Sequence, residues 1–211
     1  MTSSAPLRWG DQWPAGVREA RERILDGAEA CLASEGYSRV TMEAVAAEAK
    51  ISRATLYRYF SNRDEVFSGV VLREVDRYLE RIRFRVESQP DLGSAVLEFV
   101  RVTLRAAGRD RTITGLFAGD EGYQAGGVMA ESSVALFEMV TEFFRPLFAS
   151  HSMEVRAGTT VEDGAEWILR AVMSLGTVAG PRRRSGSALD AYLSRYLLPA
   201  IVTPPGVAEL G

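Results

Sequence analysis

From Val17 to Ala200 the apolar residues of this chain recur mostly at three- and four-residue intervals. Nowhere does a strict two-residue alternation persist with β-branched residues and hairpin turns. A chain patterned this way buries helix stripes and has no sheet to build, so the expected fold class is all-α. With 211 residues, 46% of them hydrophobic and 25% charged, it can afford a real core, either as one large domain or as a small head joined to a larger body.

The punctuation of the sequence divides it further. Residues 1–16, with Pro6, Gly10, Pro14 and Gly16, read as an irregular arm, and Trp9 and Trp13 suggest that it docks. A first helix is expected from Val17 to Ser34, with Ile24, Leu25, Ala28, Cys31 and Leu32 on its inner face. Gly36 would close it as a left-handed cap, with Tyr37 as the hydrophobic partner. Thr41 caps a short second helix through Ala49, Ser52 a short third to Tyr59, and Asn62 a long fourth to Glu87, with Glu65 completing a capping box. Further helices are expected at 92–107, 111–118, 127–149, 160–179 and 187–201. A head at 17–64 would thus be fused through the long fourth helix to a helical body at 65–211.

Composition excludes several kinds of function. One cysteine and one histidine leave neither a disulfide framework nor a soft-metal ligand set, so no metal and no cofactor are expected. Cys31 falls on the inner face of its helix and His151 follows the end of another. No spacing of carboxylates or hydroxyls argues for a catalytic site, so the chain is not expected to be an enzyme. The segment FAGDEGYQAGG (117–127) has the glycines of a phosphate loop without its lysine or preceding strand. PRRR (181–184) reads as a solvated loop. Arg73, Arg77, Arg81 and Arg85 form a stripe interleaved with Glu74, Asp76 and Glu80, which reads as salt-laced solvent surface. No secretory signal and no apolar run of membrane length is present, so the expected address is cytoplasmic and no membrane partner is expected.

Against a net charge of −3, the interval between Glu48 and Asp64 contains no carboxylate and carries Lys50, Arg53, Arg58 and Arg63. Two short capped helices joined by a tight turn, the second starting at Ser52, match a helix-turn-helix. The first residues of the second helix, Arg53, Ala54 and Thr55, then meet base edges in the major groove, with Tyr57 nearby. Leu56 and Phe60 face inward, so Arg53, Tyr57 and Arg58 face out. The hydroxyls of Ser52, Thr55, Tyr57 and Tyr59 suit phosphate oxygens, and Lys50 and Arg63 flank the helix as charge clamps.

The stretch EGYSRVTMEAVAAEAKISRATLYRYFSNRDEVF resembles the DNA-binding region of the TetR family of transcriptional repressors. The matching features are Gly36-Tyr37, Thr41, a second helix of small residues, and Thr55-Leu56-Tyr57-x-Tyr59-Phe60 followed by a basic residue at 63. The resemblance implies base or backbone contacts from Arg53, Ala54, Thr55, Tyr57 and Tyr59, and phosphate contacts from Thr41 and Arg63. Lys50 stands where the family usually has glycine, at a cost of ~0.5–1 kcal/mol if the turn needs a left-handed residue. Arg63 replaces the usual lysine. The segments AEWILRAVMSLGTV and LDAYLSRYLLPAIV are similar to the last two, dimer-forming helices of many members.

Those last helices have broad apolar faces, Ile168, Val172, Leu175 and Ala179 on one and Leu189, Tyr192, Leu193, Tyr196 and Ala200 on the other. They are expected to build a homodimer interface. A cavity for an apolar or amphipathic small-molecule effector is expected among Phe99, Val102, Thr103, Phe117, Phe137, Val140, Phe144, Trp167 and Ala171, with Thr141, Arg170 and Ser174 as polar contacts. The expected function is a ligand-responsive repressor on a palindromic double-stranded DNA operator, released when effector binding tilts the fourth helix. The alternative readings are an all-helical interaction module with a degenerate helix-turn-helix, against which intact Arg53, Thr55, Tyr57 and Arg63 argue, and an enzyme.

Overall fold

The computed structural model of the chain describes residues 16–36, 39–107, 128–178, 180–182 and 184–203. The arm at 1–15, Tyr37, the expected helix at 111–118 with Phe117, and Ala179 lie outside the described residues. Among the described residues the elements are all helical: α1 (Val17–Glu35), α2 (Met42–Glu48), α3 (Arg53–Tyr59), α4 (Arg63–Glu87), α5 (Leu92–Ala106), α6 (Val128–Ser150), α7 (Val161–Thr177), α8 (Ser187–Tyr196) and a 3-10 turn at Leu198–Ala200. None of these helices is long and apolar enough to cross a membrane.

The starts of the helices follow from local chemistry. Thr41 accepts from the Ala44 N–H at 3.1 Å, Ser52 from Thr55 at 3.1 Å, Asp91 from Ser94 at 2.6 Å, and Thr160 from Asp163 at 3.1 Å. The expected capping box of α4 is half formed: Asn62 accepts from the Glu65 N–H at 2.7 Å, but the Glu65 carboxylate accepts from the N–H of Ser61, one residue before the cap, at 2.6 Å. Gly36 ends α1 at φ 77, ψ 159, outside the left-handed helical well expected for it, while its N–H bonds Leu32 O at 3.1 Å. The last helix is shorter than its pattern predicts. Pro199 lacks the N–H needed to continue an α-helix, so α8 stops at Tyr196 and the chain tightens into the 3-10 turn.

The described residues form two compact units that share α4. One takes in the chain up to Arg73 with α6 as far as Ser132, and the other holds the remainder. The division falls further along α4 than residue 64 because the first turns of α4 supply Val66, Phe67, Val70 and Val71 to the core of the head. There they join Ile24 and Ala28 of α1, Val45 of α2, and Leu56 and Phe60. In the body, Val75, Leu79, Ile82 and Val86 of α4 are buried, as are Leu92, Val96 and Phe99 of α5, Phe143 and Phe144 of α6, Ile168 and Val172 of α7, and Leu189 and Leu193 of α8.

Arg73 does not lie on solvent surface as its stripe suggests. Its side chain is 9% exposed, and its guanidinium reaches three carboxylates of α1: Glu22 at 3.1 Å, Asp26 at 2.7 Å and Glu29 at 2.6 Å. It also donates to Glu22 O at 3.2 Å. The acids stand one turn apart on α1, so one planar fork can bridge them all and fix α1 against α4. Arg85 instead reaches across to buried Glu98 of α5, which Arg101 also holds at 3.2 Å, and Arg101 extends the chain of charges to Asp190 of α8 at 3.1 Å. Replacing Arg73 by Leu leaves the α1 carboxylates facing one another without their cation. The expected loss is about 1–3 kcal/mol, less than for a fully buried pair because the acids are partly solvated, and it is read from the urea midpoint followed by circular dichroism.

Candidate nucleic-acid interface

The turn between α2 and α3 is built from backbone bonds. Ala49 N–H reaches Val45 O at 2.9 Å, Lys50 N–H reaches Ala47 O at 3.1 Å, and Ile51 N–H reaches Ala46 O at 2.9 Å. Closing the turn this way puts Lys50 at φ 56, and it is the one non-glycine residue with positive φ among the described residues. Ile51 is buried at the corner. The turn lies directly against α1, where a Cβ on Gly27 would sit 2.9 Å from Ala49 N and 3.1 Å from Ala49 Cβ. Gly27 therefore sets how near α1 can come. Its role is invisible in the sequence, where it reads only as a weak helix former.

The turn and the two inward residues Leu56 and Phe60 determine which face α3 presents. Arg53, Ala54, Tyr57 and Arg58 are exposed, together with Ser52, Lys50 and Thr41, and they form one polar, basic surface. Thr55 departs from expectation. It is 1% exposed, and its hydroxyl lies 2.8 Å from Ser52 Oγ, so the side chain serves the start of the helix and points away from the surface. The helix period explains this, because residues 55, 56 and 60 fall on one side and 53, 54, 57 and 58 on the other.

Tyr59 is half-buried, with its hydroxyl accepting from Arg58 at 3.2 Å and its carbonyl accepting from Arg21 at 2.6 Å. Arg21 lies over the Phe60 ring at 4.1 Å, which ties the end of α3 back to α1. Arg63 is half-buried too. It donates to Val40 O at 3.3 Å and stands 5.7 Å over the Phe67 ring. A second feature went unread in the sequence: Glu43, in the first turn of α2, forms an ion pair with Arg53 at 2.6 Å. The interval 49–63 is free of acid in sequence, but the fold brings one to its most prominent arginine.

In the body, Phe99, Val102, Thr103, Val140, Thr141 and Phe144 are buried, and Phe137 and Ala171 are half-buried. The rings of Phe99, Phe143 and Phe144 stand 4.9–5.4 Å apart in tilted and edge-on contact. Thr103 accepts from buried Tyr78 of α4 at 3.0 Å and donates to Phe99 O at 2.8 Å. Trp167, Arg170 and Ser174 do not line an interior. They are exposed, because α7 turns Gly164, Ala165, Ile168 and Val172 inward. Gly164 allows this closeness, since a Cβ there would meet Phe148 Cζ at 2.6 Å. A separate groove of about 290 Å³ opens between α4 and α6, lined by Asp76, Leu79, Arg83, Ala135, Glu138, Met139, Glu142 and Phe143, none of them among the expected lining.

The same register corrects the expected dimer face. Ile168, Val172, Leu189 and Leu193 are buried inside this single chain, so they are core. Leu175 and Tyr192 are half-buried, and Tyr196 and Ala200 are exposed. The apolar side chains left outside on α7 and α8 are Trp167 (45% exposed) and Tyr196 (60%), with Val178 just past α7. Cys31 is buried, and burial, with Glu48 and Glu35 adding to it, pushes its thiol up from the usual range. No cluster of metal-ligating side chains occurs among the described residues.

Residues 24–70 match the family model of bacterial regulatory proteins, tetR family. Over 201 residues, covering 94% of both chains, this sequence is 29% identical to an uncharacterized HTH-type transcriptional regulator of Mycobacterium tuberculosis, Rv1255c. Over 77 residues, 36% of this chain and 38% of the other, it is 38% identical to the HTH-type transcriptional repressor KstR of Mycolicibacterium smegmatis. Among solved structures, the TetR family repressor AlkX from Dietzia superposes with a TM-score of 0.61 at 24% identity, covering 88% of this chain and 95% of that one, which is a likeness of fold.

The left-handed Lys50 yields a stability test. Lys50→Gly removes the Cβ clash at φ 56, offset in part by a more flexible unfolded chain, and is expected to raise stability by about 0.5–1 kcal/mol in thermal or urea unfolding.

Proposed function

From the chain's place in the TetR family of transcriptional regulators, we propose that it is a dimeric repressor that grips a palindromic DNA operator with α3 and lets go when a small apolar or amphipathic molecule binds the body. The observation that carries this reading is the exposed set of Arg53, Tyr57 and Arg58 on α3, with Lys50 in the turn before it, while the opposite side of α3 is locked into the head by Leu56 and Phe60. Arg53 is the base reader in this arrangement, through a guanine edge. Tyr57, Lys50, Thr41 and Arg63 hold the sugar–phosphate backbone, and Ser52 and Thr55 act by fixing the start of α3.

Dimerisation is supported by the apolar side chains left outside on the last two helices. Trp167 and Tyr196 are large and rigid, and a second copy meeting them about a twofold axis would bury the same face twice. The effector response is supported by α4, which is common to both units and carries buried Tyr78, hydrogen-bonded to Thr103 of α5. An effector that prefers one position of Tyr78 biases α4, and only such a difference in affinity between two states can shift DNA binding.

Two measurements test the proposal. Selection of bound duplexes from a random pool is expected to return a palindromic consensus, and Arg53→Ala is expected to cost about 1–3 kcal/mol on it while relaxing preference at the base it reads. Enrichment of no duplex by the wild-type protein defeats the DNA-binding reading. In sedimentation at micromolar concentration the wild type is expected to be a dimer and Trp167→Asp a monomer. A dimer that survives Trp167→Asp moves the interface elsewhere.

A further inference from the structure

The arginine expected to read DNA is already occupied. Arg53 holds Glu43 at 2.6 Å, across the turn and from the helix before it, and both side chains are more than half exposed. An acid so placed has a predictable effect. Glu43 lies in the first turn of α2, and the ion pair places its carboxylate beside Arg53, so a phosphate backbone approaching Arg53 meets that carboxylate as well.

Resting on the DNA-binding reading above, we infer that Glu43 is a specificity-determining residue that both orients Arg53 and withholds it from DNA of the wrong sequence. The physical basis is the shape of the guanidinium, a rigid planar fork with five N–H donors. The ion pair engages Nη2. A guanine edge offers O6 and N7 side by side and takes two donors, so the other donors can stay with Glu43 and the carboxylate acts as a buttress. Where no guanine is in place Arg53 turns to a phosphate, which also takes two donors but lies on the backbone and not in the groove, so the guanidinium swings off Glu43 and leaves that carboxylate beside the DNA. The cost of Glu43 therefore falls on random DNA more than on the operator. Discrimination arises as much from that repulsion as from the guanine contact.

Glu43 and Arg53 are both exposed, so changing them leaves the core intact, and unchanged thermal unfolding of the variants checks this. The probes are the consensus duplex selected by the wild-type protein, the same duplex with the guanine read by Arg53 replaced, and a random duplex, each titrated over a range of salt. For Glu43→Gln the expected result is a two- to fivefold gain in affinity for the random and altered duplexes. Little or no gain is expected on the consensus, and the salt dependence on random DNA is expected to steepen by about one phosphate contact. Glu43→Asp is expected to restore part of the discrimination. In the Arg53→Ala background, Glu43→Gln is expected to leave the preference among the three duplexes unchanged.

Three outcomes overturn the inference. Equal weakening on all duplexes makes Glu43 a support for α2 alone. Equal strengthening on all duplexes, with or without Arg53, makes it background charge. No change on any duplex makes the pair idle. If the wild-type protein enriches no duplex, the DNA-binding reading fails first and this one fails with it.

Discussion

Everything the head presents depends on how closely α1 can lie against the turn between α2 and α3. Gly27 leaves only the space of a hydrogen there, with Ala49 N and Cβ about 3 Å from where a methyl would stand. That contact fixes the turn, the turn forces Lys50 into positive φ, and the path out of Lys50 and Ile51 aims α3. The exposed side chains of α3 are then determined by helix period alone, since Leu56 and Phe60 anchor its other side. A surface that must meet a rigid groove needs its parts held to fractions of an ångström, and here a close-packed backbone contact holds them.

The long α4 belongs to both units, so whatever holds it on either side enters into any communication along it. On the head side it contributes Val66, Phe67, Val70 and Val71 to the core and is bound through Arg73 to α1. On the body side it offers Tyr78 to Thr103 and Arg85 to Glu98. The head-side contacts are mainly apolar with one charged brace, and the body-side contacts with Thr103 and Glu98 are polar.

The sequence made legible whatever is decided within a few residues. Thr41, Ser52, and Asn62 with Glu65 announce helix starts because a cap is a bond to a neighbour three residues on. The inward pair Leu56 and Phe60, and the outward Arg53, Tyr57 and Arg58, follow from period alone. Thr55 defeats the sequence reading because its residue type suits a base contact as well as it suits the hydroxyl–hydroxyl bond it makes with Ser52 at the start of α3. Ile168 and Val172 are expected on an outer face from the sequence because α7 is apolar on two sides, and periodicity does not say which side meets its own chain. Ile168 and Val172 do, and Trp167 does not. Glu43 with Arg53, and Arg73 with α1, are pairings across space between side chains that sequence spacing does not connect.

The bridge at Arg73 also shapes how the protein can change over time. One guanidinium answers to three carboxylates, and these stand at positions 22, 26 and 29 of a single helix. Loss of any one acid leaves two to hold the cation, so the α1 side can drift one position at a time with little consequence. Loss of the arginine strands three negative charges at once. The two sides of the same contact thus carry unequal freedom to vary. Among sequences that share this fold, the expected mark of the brace is a fixed arginine on α4 facing a shifting set of acids on α1.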